Sequence, residues 1–380
     1  MKKSLNLLVI TALLFNVNCF AQTKNIDVDN VRFSYSYRMT PETPLNPPNF
    51  KYWGKATTFS SIKGIDGEEL ADRIFINGQQ KADSERDADV IITVRTGSVS
   101  VSNRTVNTHT HTSKDKDGKE YTTYSYDVSA NYSMEGSYSI KQGSNILAEN
   151  TVNPNRSWVS QSYNSYDAAA KYWNDSREAI VANWQKELSL YVADNASNYA
   201  SAKWGFPVRS AGDLVKTMDE KKHDENITMR ANVETLKRVL SAANINKPVN
   251  QDSIAPLIEY FKSIRTRYTD PKLKADDRLR YIANFNLCTI YLMLDQPEMV
   301  TQPANLISEG DYGKKDGAKL IKEAEKLKSF LEKSGIKTRH FYPLDYPALL
   351  KGEAPNAANQ TNTDDDNASI QEDKPDNADE

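Results

Sequence analysis

Apolar and polar residues alternate with a period of two through much of the first half of the chain, and the period lengthens to about 3.6 in the second half. Residues 31 to 38 (VRFSYSYR) put Phe33, Tyr35 and Tyr37 on one side, which predicts a half-buried strand. Asp66 to Ile76 reads as a helix with Leu70, Ile74 and Phe75 on its buried side. Ala88 to Val94 (ADVIITV) is a continuous β-branched run suited to a strand covered on both faces. At Gly97 the alternation slips by one residue, which predicts a bulge or bend. Tyr124, Tyr126, Val128, Ala130, Tyr132, Met134, Tyr138 and Ile140 share one parity and predict a long strand from about 121 to 141. Asp117-Gly118 supplies the turn, so this strand is expected to pair antiparallel with the one from 90 to 107. A further turn at 142–145 leads into a third strand, Ile146 to Val152, completing a meander.

From Tyr166 to about Ala200, the spacing of Ala169, Trp173, Ile180, Trp184, Leu188 and Tyr191 predicts an amphipathic helix capped by Ser165. Beyond Asp213 only helical spacing remains. Met229, Val233, Leu236 and Leu240 form one stripe, and Ile254, Leu257, Ile258, Phe261, Ile264 and Tyr268 form another. Asp270-Pro271 then breaks the pattern. Helices are expected at 275–294, 298–308 and 314–333, the last with Leu320, Ile321, Ala324, Leu327 and Leu331 inward and Gly335 as its stop. The fold class is therefore α+β: an antiparallel-dominated sheet with packed helices over 25–205, followed by an all-α module over 213–340.

The two ends change this picture. Met1-Lys2-Lys3, the apolar run Leu5 to Phe15 and Cys19-Phe20-Ala21 follow the order of a secretory signal, with cleavage expected after Ala21. That run is shorter than the roughly 20 apolar residues a membrane-spanning helix requires, and no later segment comes closer. Asn16, Val17 and Asn18 do not form the small or aliphatic approach of a lipidation signal, so a lipid on Cys19 is the lesser alternative. Cleavage leaves Cys288 as the sole cysteine, with no intrachain disulfide and no cysteine-based zinc site. The expected address is the periplasm or the outer membrane's periphery.

Residues 352–380 are almost devoid of large apolar side chains and predict a disordered acidic tail. Of the net charge of -3, the tail's nine acids against Lys374 contribute -8 and Lys2 and Lys3 of the signal +2, which leaves 22–352 at +3. A body so near neutrality does not imply nucleic acid as a partner.

Two stretches resemble known families. Leu70 to Val94 (LADRIFINGQQKADSERDADVIITV) looks like small bacterial envelope lipoprotein domains of unknown function, a resemblance that implies fold and compartment but no chemistry. Ala283 to Ile307 is similar to a tetratricopeptide hairpin: Leu287, Cys288, Tyr291 and Val300 fall on its large, small, aromatic and small packing positions, with Asp295-Gln296-Pro297 at the turn. Ala304 stands where a large residue is usual and no second copy follows, so one hairpin within a bundle is expected.

The chain has four histidines and carries no GxSxG elbow, P-loop, HExxH or GxGxxG. His109 and His111 share one face of a strand, but two imidazoles fall short of the three protein ligands a zinc site normally takes, so no metal is expected. Asp115 and Asp117 lack the later ligands of a calcium loop. The loop 46–54 gathers Phe50, Tyr52 and Trp53 outside any periodic element and is the candidate contact surface. These readings favour a non-catalytic, exported protein that binds a protein partner, with no catalytic residue, cofactor or metal. The rivals are an envelope hydrolase acting through carboxylates the sequence does not single out, and a carbohydrate-binding module.

Overall fold

The computed structural model describes residues 26–59, 64–219, 221, 223–270 and 272–353. The signal segment 1–21 with Cys19, Pro271 and nearly all of the acidic tail lie outside the described residues. The architecture is α+β, and the chain divides into two compact units, Thr40–Pro207 and a second that joins residues up to Met39 with those from Val208 onward.

The sheet unit holds β2 (Lys51–Thr58), helix α1 (Gly67–Asp72), β3 (Gln80–Lys81), β4 (Val90–Thr96), β5 (Ser100–Lys114), β6 (Glu120–Ser133), β7 (Gly136–Gln142), β8 (Asn145–Val152), β9 (Asn155–Val159) and the long helix α2 (Tyr166–Trp204). It contains two sheets, ordered β3-β2-β4-β7-β8 and β5-β6-β9. All pairings are antiparallel except β2 with β3 and with β4.

The expected single strands 90–107 and 121–141 are each broken, at 97–99 and at Met134-Glu135, and the two halves of each join different sheets. The break follows from the helix. Gln185 of α2 is 1 % exposed; its Oε1 accepts from Val99 N at 3.0 Å and its Nε2 donates to Gly97 O at 2.9 Å. The side-chain amide takes the hydrogen bonds that a continuous ladder would have made, so the chain can turn from one sheet to the other without orphaned backbone groups. Two serines of α2 act similarly: Ser197 Oγ accepts from Phe75 N at 3.1 Å and Ser201 Oγ from Asn77 N at 2.9 Å. These bonds hold 74–77 in a non-helical path, which is why α1 ends at Asp72 and not at the expected Ile76. On α2 the expected Ala169, Trp173, Trp184 and Leu188 are buried, but Val181 and Val192 take the inward places expected for Ile180 and Tyr191. Beside them Tyr132 stacks on Trp184 at 4.3 Å between ring centres.

The expected Pro-aromatic loop is corrected most sharply. Only 46–50 lack regular structure, and Lys51 to Thr58 form β2 within the larger sheet. Tyr52 and Gly54 point inward, and a Cβ on Gly54 would lie 2.8 Å from Ile74 Cβ and 3.0 Å from Ala71 O, so glycine is required for the end of α1 and the residues after it to lie against the strand. Small residues at inward positions concealed the alternation.

The helical unit contains β1 (Val28–Arg38), β10 (Val208–Met218), α3 (Asn226–Ser241), α4 (Gln251–Arg267), α5 (Lys274–Met293), α6 (Thr301–Glu309), α7 (Lys314–Ser334) and the short α8 (Tyr346–Leu350). β1 is paired antiparallel with β10 along its whole length, so the first strand belongs with the helices and not with the 25–205 sheet module. β10 is itself a strand where helical spacing alone had been expected from Asp213. Its sequence, VRSAGDLVKTM, lacks a clean alternation because α3 and α5 pack on it.

Every residue of α5 from Tyr281 to Tyr291 is buried. Its polar members therefore need partners. Asn286 Oδ1 accepts from Lys216 N at 2.7 Å and Nδ2 donates to Lys216 O at 2.8 Å, while Thr289 Oγ1 donates to Leu214 O at 3.5 Å. Asn286 thus closes the edge of β10 as a neighbouring strand would. The remaining helical stripes bury Met229, Val233, Leu236 and Leu240 on α3, and Leu320, Ala324, Leu327 and Leu331 on α7, as the spacing predicts.

Candidate binding cleft

One flank of α5 meets α4, α6 and the 310–313 loop in a cleft of about 460 Å³. Each wall follows from local sequence. Asn250 caps α4 by accepting from Ser253 N, and the stripe Ile254, Leu257, Phe261 and Ile264 turns Lys262, Arg265 and Thr266 outward. On α5, Asp277, Arg280, Tyr281 and Asn284 follow at i, i+3, i+4 and i+7, so they form one stripe along the helix. α6 contributes Gln302, Leu306 and Ile307. The loop brings Tyr312 edge-on to Tyr281, with centroids 4.9 Å apart. Gly313 makes this approach possible, since it has φ +71° and a Cβ there would lie 2.2 Å from the Tyr281 ring.

The charges in the cleft are unequally engaged. Lys262 Nζ donates to Glu259 at 2.9 Å, and that bond raises its pKa. Arg280 donates to Tyr268 O at 3.0 Å and reaches Asp277 Oδ1 at 3.5 Å. Arg265 forms no ion pair among the described residues. Tyr281 donates to Asp316 Oδ2 at 2.5 Å, and burial together with that bond pushes its phenol upward, so it stays neutral. Asn284 lines the cleft at 3 % exposure, and its Oδ1 has no hydrogen-bond partner. A buried acceptor left unmatched costs about 1–3 kcal/mol, which a donating ligand would recover.

The residues expected from sequence lie elsewhere. Phe50 and Tyr52 are buried in the sheet unit at 5 % and 6 % exposure, and Trp53 is half-buried, so the first two are closed to a partner. His109 and His111 do share one face of β5, but each has its own partner: His109 Nε2 lies 2.5 Å from Asp127 Oδ2, and His111 Nε2 lies 2.9 Å from Ser125 Oγ. Asp115 is occupied in the hairpin turn, where its Oδ1 accepts from Asp117 N and Lys119 N. Cys288 is buried, and desolvation pushes its thiol up to about 12, far from nucleophilic use. Among the described residues no three His, Cys, Asp or Glu side chains converge as a metal site.

The cleft residues carried one legible signal. Asp277, Arg280, Tyr281 and Asn284 recur at i, i+3, i+4 and i+7 as a polar stripe on a helix rich in apolar residues, and such a stripe is wet, liganded or matched to polar neighbours. Neither a protein-family model nor a curated protein matches the chain.

Proposed function

We propose that this chain is a non-catalytic, exported envelope protein whose helical unit binds an extended segment of a protein partner in the cleft between α4, α5 and α6. The observation that carries the reading is the cleft's composition: three cationic side chains above an apolar and aromatic wall, with an unmatched amide oxygen among them. A peptide offers carboxylates to the first, side chains to the second and backbone N–H groups to the third.

The rival readings have less support. A hydrolase needs two carboxyls facing one cleft, whereas here only Asp277 lines it, beside Arg280. The carboxyls that burial raises, Asp194 and Asp213, belong to different units, and neither lines the cleft. For sugar binding, the exposed Tyr121 and Tyr124 are three apart on β6 and fall on opposite faces, so they form no stacking row.

Photo-crosslinking in intact cells tests the proposal. A photoreactive residue at Gln302 is expected to capture a protein partner, and the adduct is expected to vanish when Lys262→Glu and Arg265→Glu are added. Adducts that persist unchanged in that variant would sink the reading.

A further inference from the structure

We infer that the acidic segment Asp364–Glu380 of this same chain occupies the cleft, so that the site is self-filled and a partner enters by displacing it. The inference rests on the peptide-binding reading of the cleft and adds its regulation. Three complementarities favour this occupant. Residues 354–380 carry eight acids against Lys374, and the cleft presents Lys262, Arg265 and Arg280 against Asp277. Arg265, which lacks an ion pair among the described residues, gains one. The segment has a single large apolar residue, Ile370, with Asp364, Asp365 and Asp366 before it and Glu372 and Asp373 after it. That order matches an apolar wall of Leu306 and Ile307 bordered by cations. The backbone N–H groups of the segment supply the donor that Asn284 Oδ1 lacks, which an inorganic anion such as phosphate does less well because it is mainly an acceptor.

Reach is sufficient. Glu353 belongs to the same unit as the cleft, and Ile370 follows it by 17 residues. At about 3.3 Å per residue the linker spans up to about 55 Å, more than the diameter of a domain whose radius of gyration is about 15 Å. Tethering also makes a weak site count. With an effective concentration of about 1 mM, a segment that binds in trans with a Kd of about 0.1 mM fills its site about ten to one in cis.

The experiment uses the full chain and a labelled peptide of residues 363–380, followed by fluorescence anisotropy at low salt. One host is the native chain. The other carries a neutralised tail, with Asp364, Asp365, Asp366, Asp373, Asp376 and Asp379 changed to Asn and Glu372 and Glu380 to Gln. The peptide is expected to bind the neutralised chain about tenfold more tightly than the native chain, because only the native chain competes with it. Adding Lys262→Glu and Arg265→Glu to the neutralised chain should abolish binding. The milder Lys262→Gln and Arg265→Gln should weaken it several-fold, and both side chains are outside the core. Equal affinity for the two hosts, absence of binding to both, or binding indifferent to the cleft substitutions would overturn the inference. Crosslinking from Gln302 in cells separates the two levels: a partner adduct equally abundant with native and neutralised tails leaves the peptide cleft standing and removes the self-occupancy, whereas loss of the partner adduct from both removes the cleft reading itself.

Discussion

Both units meet the same physical problem, a strand whose hydrogen bonds run out, and both answer it with one buried amide side chain from a packed helix. In the sheet unit Gln185 bridges Gly97 and Val99, where β4 gives way to β5. In the helical unit Asn286 pairs with both backbone groups of Lys216 at the edge of β10. The difference lies in what surrounds them. Gln185 sits among other polar groups, near Ser189 and Met134, and permits a change of sheet. Asn286 sits on a helix enclosed on nearly every side and seals an edge that would otherwise be open to strand addition. One amide thus creates a branch in the fold and the other ends one. The units also differ in ionic character: Arg339 and Asp295 form a buried pair in the helical unit, while the lysine pairs of the sheet unit lie at its surface.

The largest expected effect tests the independence of the two cores through that buried pair. Arg339 donates to Asp295 Oδ1 at 2.6 Å and to Leu292 O at 2.9 Å, and its guanidinium lies over the Tyr37 ring. Arg339→Met leaves Asp295 charged and buried, which should cost about 3–5 kcal/mol. All five tryptophans, Trp53, Trp158, Trp173, Trp184 and Trp204, belong to the sheet unit. Urea unfolding followed by tryptophan fluorescence should therefore stay near the native midpoint, while the helical circular-dichroism signal shows an earlier phase. A common shift of both signals would mean that the two cores unfold as one.

The amide substitutions come next in size. Asn286→Leu and Gln185→Leu each strand two backbone groups, at roughly 1–3 kcal/mol per group before relaxation. Asn286→Leu is expected to lower only the circular-dichroism phase that fluorescence does not report, and Gln185→Leu the fluorescence phase together with the share of the circular-dichroism signal that α2 contributes. If Gln185→Leu proves neutral, water reaches the β4 to β5 break, and the parallel between the two amides fails.

What was legible in the sequence follows from this chemistry. Amphipathic stripes on α3, α4 and α7 could be read because their buried faces are apolar and their partners nonspecific. The hairpin of β5 and β6 could be read because Asp117-Gly118 has only a few conformations open to it, and Gly118 does adopt φ +79°. β2 was hidden because its inward positions include Gly54 and Ala56, and β10 because its capping partner lies some 70 residues away on α5. Gln185 and Asn286 read as ordinary polar residues until their backbone partners are known. The cleft was half legible: the polar stripe on α5 is local, but Arg265 and Tyr312 join it only through tertiary packing. Phe50, Tyr52 and Trp53 read as loop aromatics because the sequence around them shows no period, whereas Tyr52 and Trp53 lie on β2.

A smaller effect is expected from pH, confined to the helical unit. His340 is buried, its Nδ1 donates to Asn244 O at 2.6 Å and its Nε2 has no partner. Burial lowers its pKa from the ordinary 6.5, with Arg339 adding to that direction and the Asn244 carbonyl and Asp295 opposing it. The folded state therefore resists a proton that the unfolded chain accepts. The contribution is present above about pH 6.5 and is lost as the pH falls from there toward the lower folded value. Circular-dichroism melting at pH 7.5 and 5.5 should show a drop that is reduced in His340→Gln. An equal drop in both would assign the pH dependence to other groups.

The smallest effect is expected at the hairpin of β5 and β6, where the sequence offered its most specific chemical alternative. His109 is about half exposed, and its contact with Asp127 at 2.5 Å is a surface interaction of the kind worth at most about 1 kcal/mol. Asp127 is buried, but it keeps the Asn107 Nδ2 bond at 2.7 Å when His109 is removed, so its carboxylate is not left without a donor. His111 is exposed and contacts only Ser125 Oγ. His109→Ala with His111→Ala should therefore change the fluorescence-detected stability by about 0.5 kcal/mol or less. Two imidazoles, each directed to its own neighbour, also leave no third ligand to complete a tetrahedral site, so added chelator should not move the melting point of the native chain. A chelator-dependent fall seen in the native chain and absent from the double variant would show that the imidazoles turn toward a common ion, and the sheet unit would then carry the chemistry that the comparison assigns to the helical cleft.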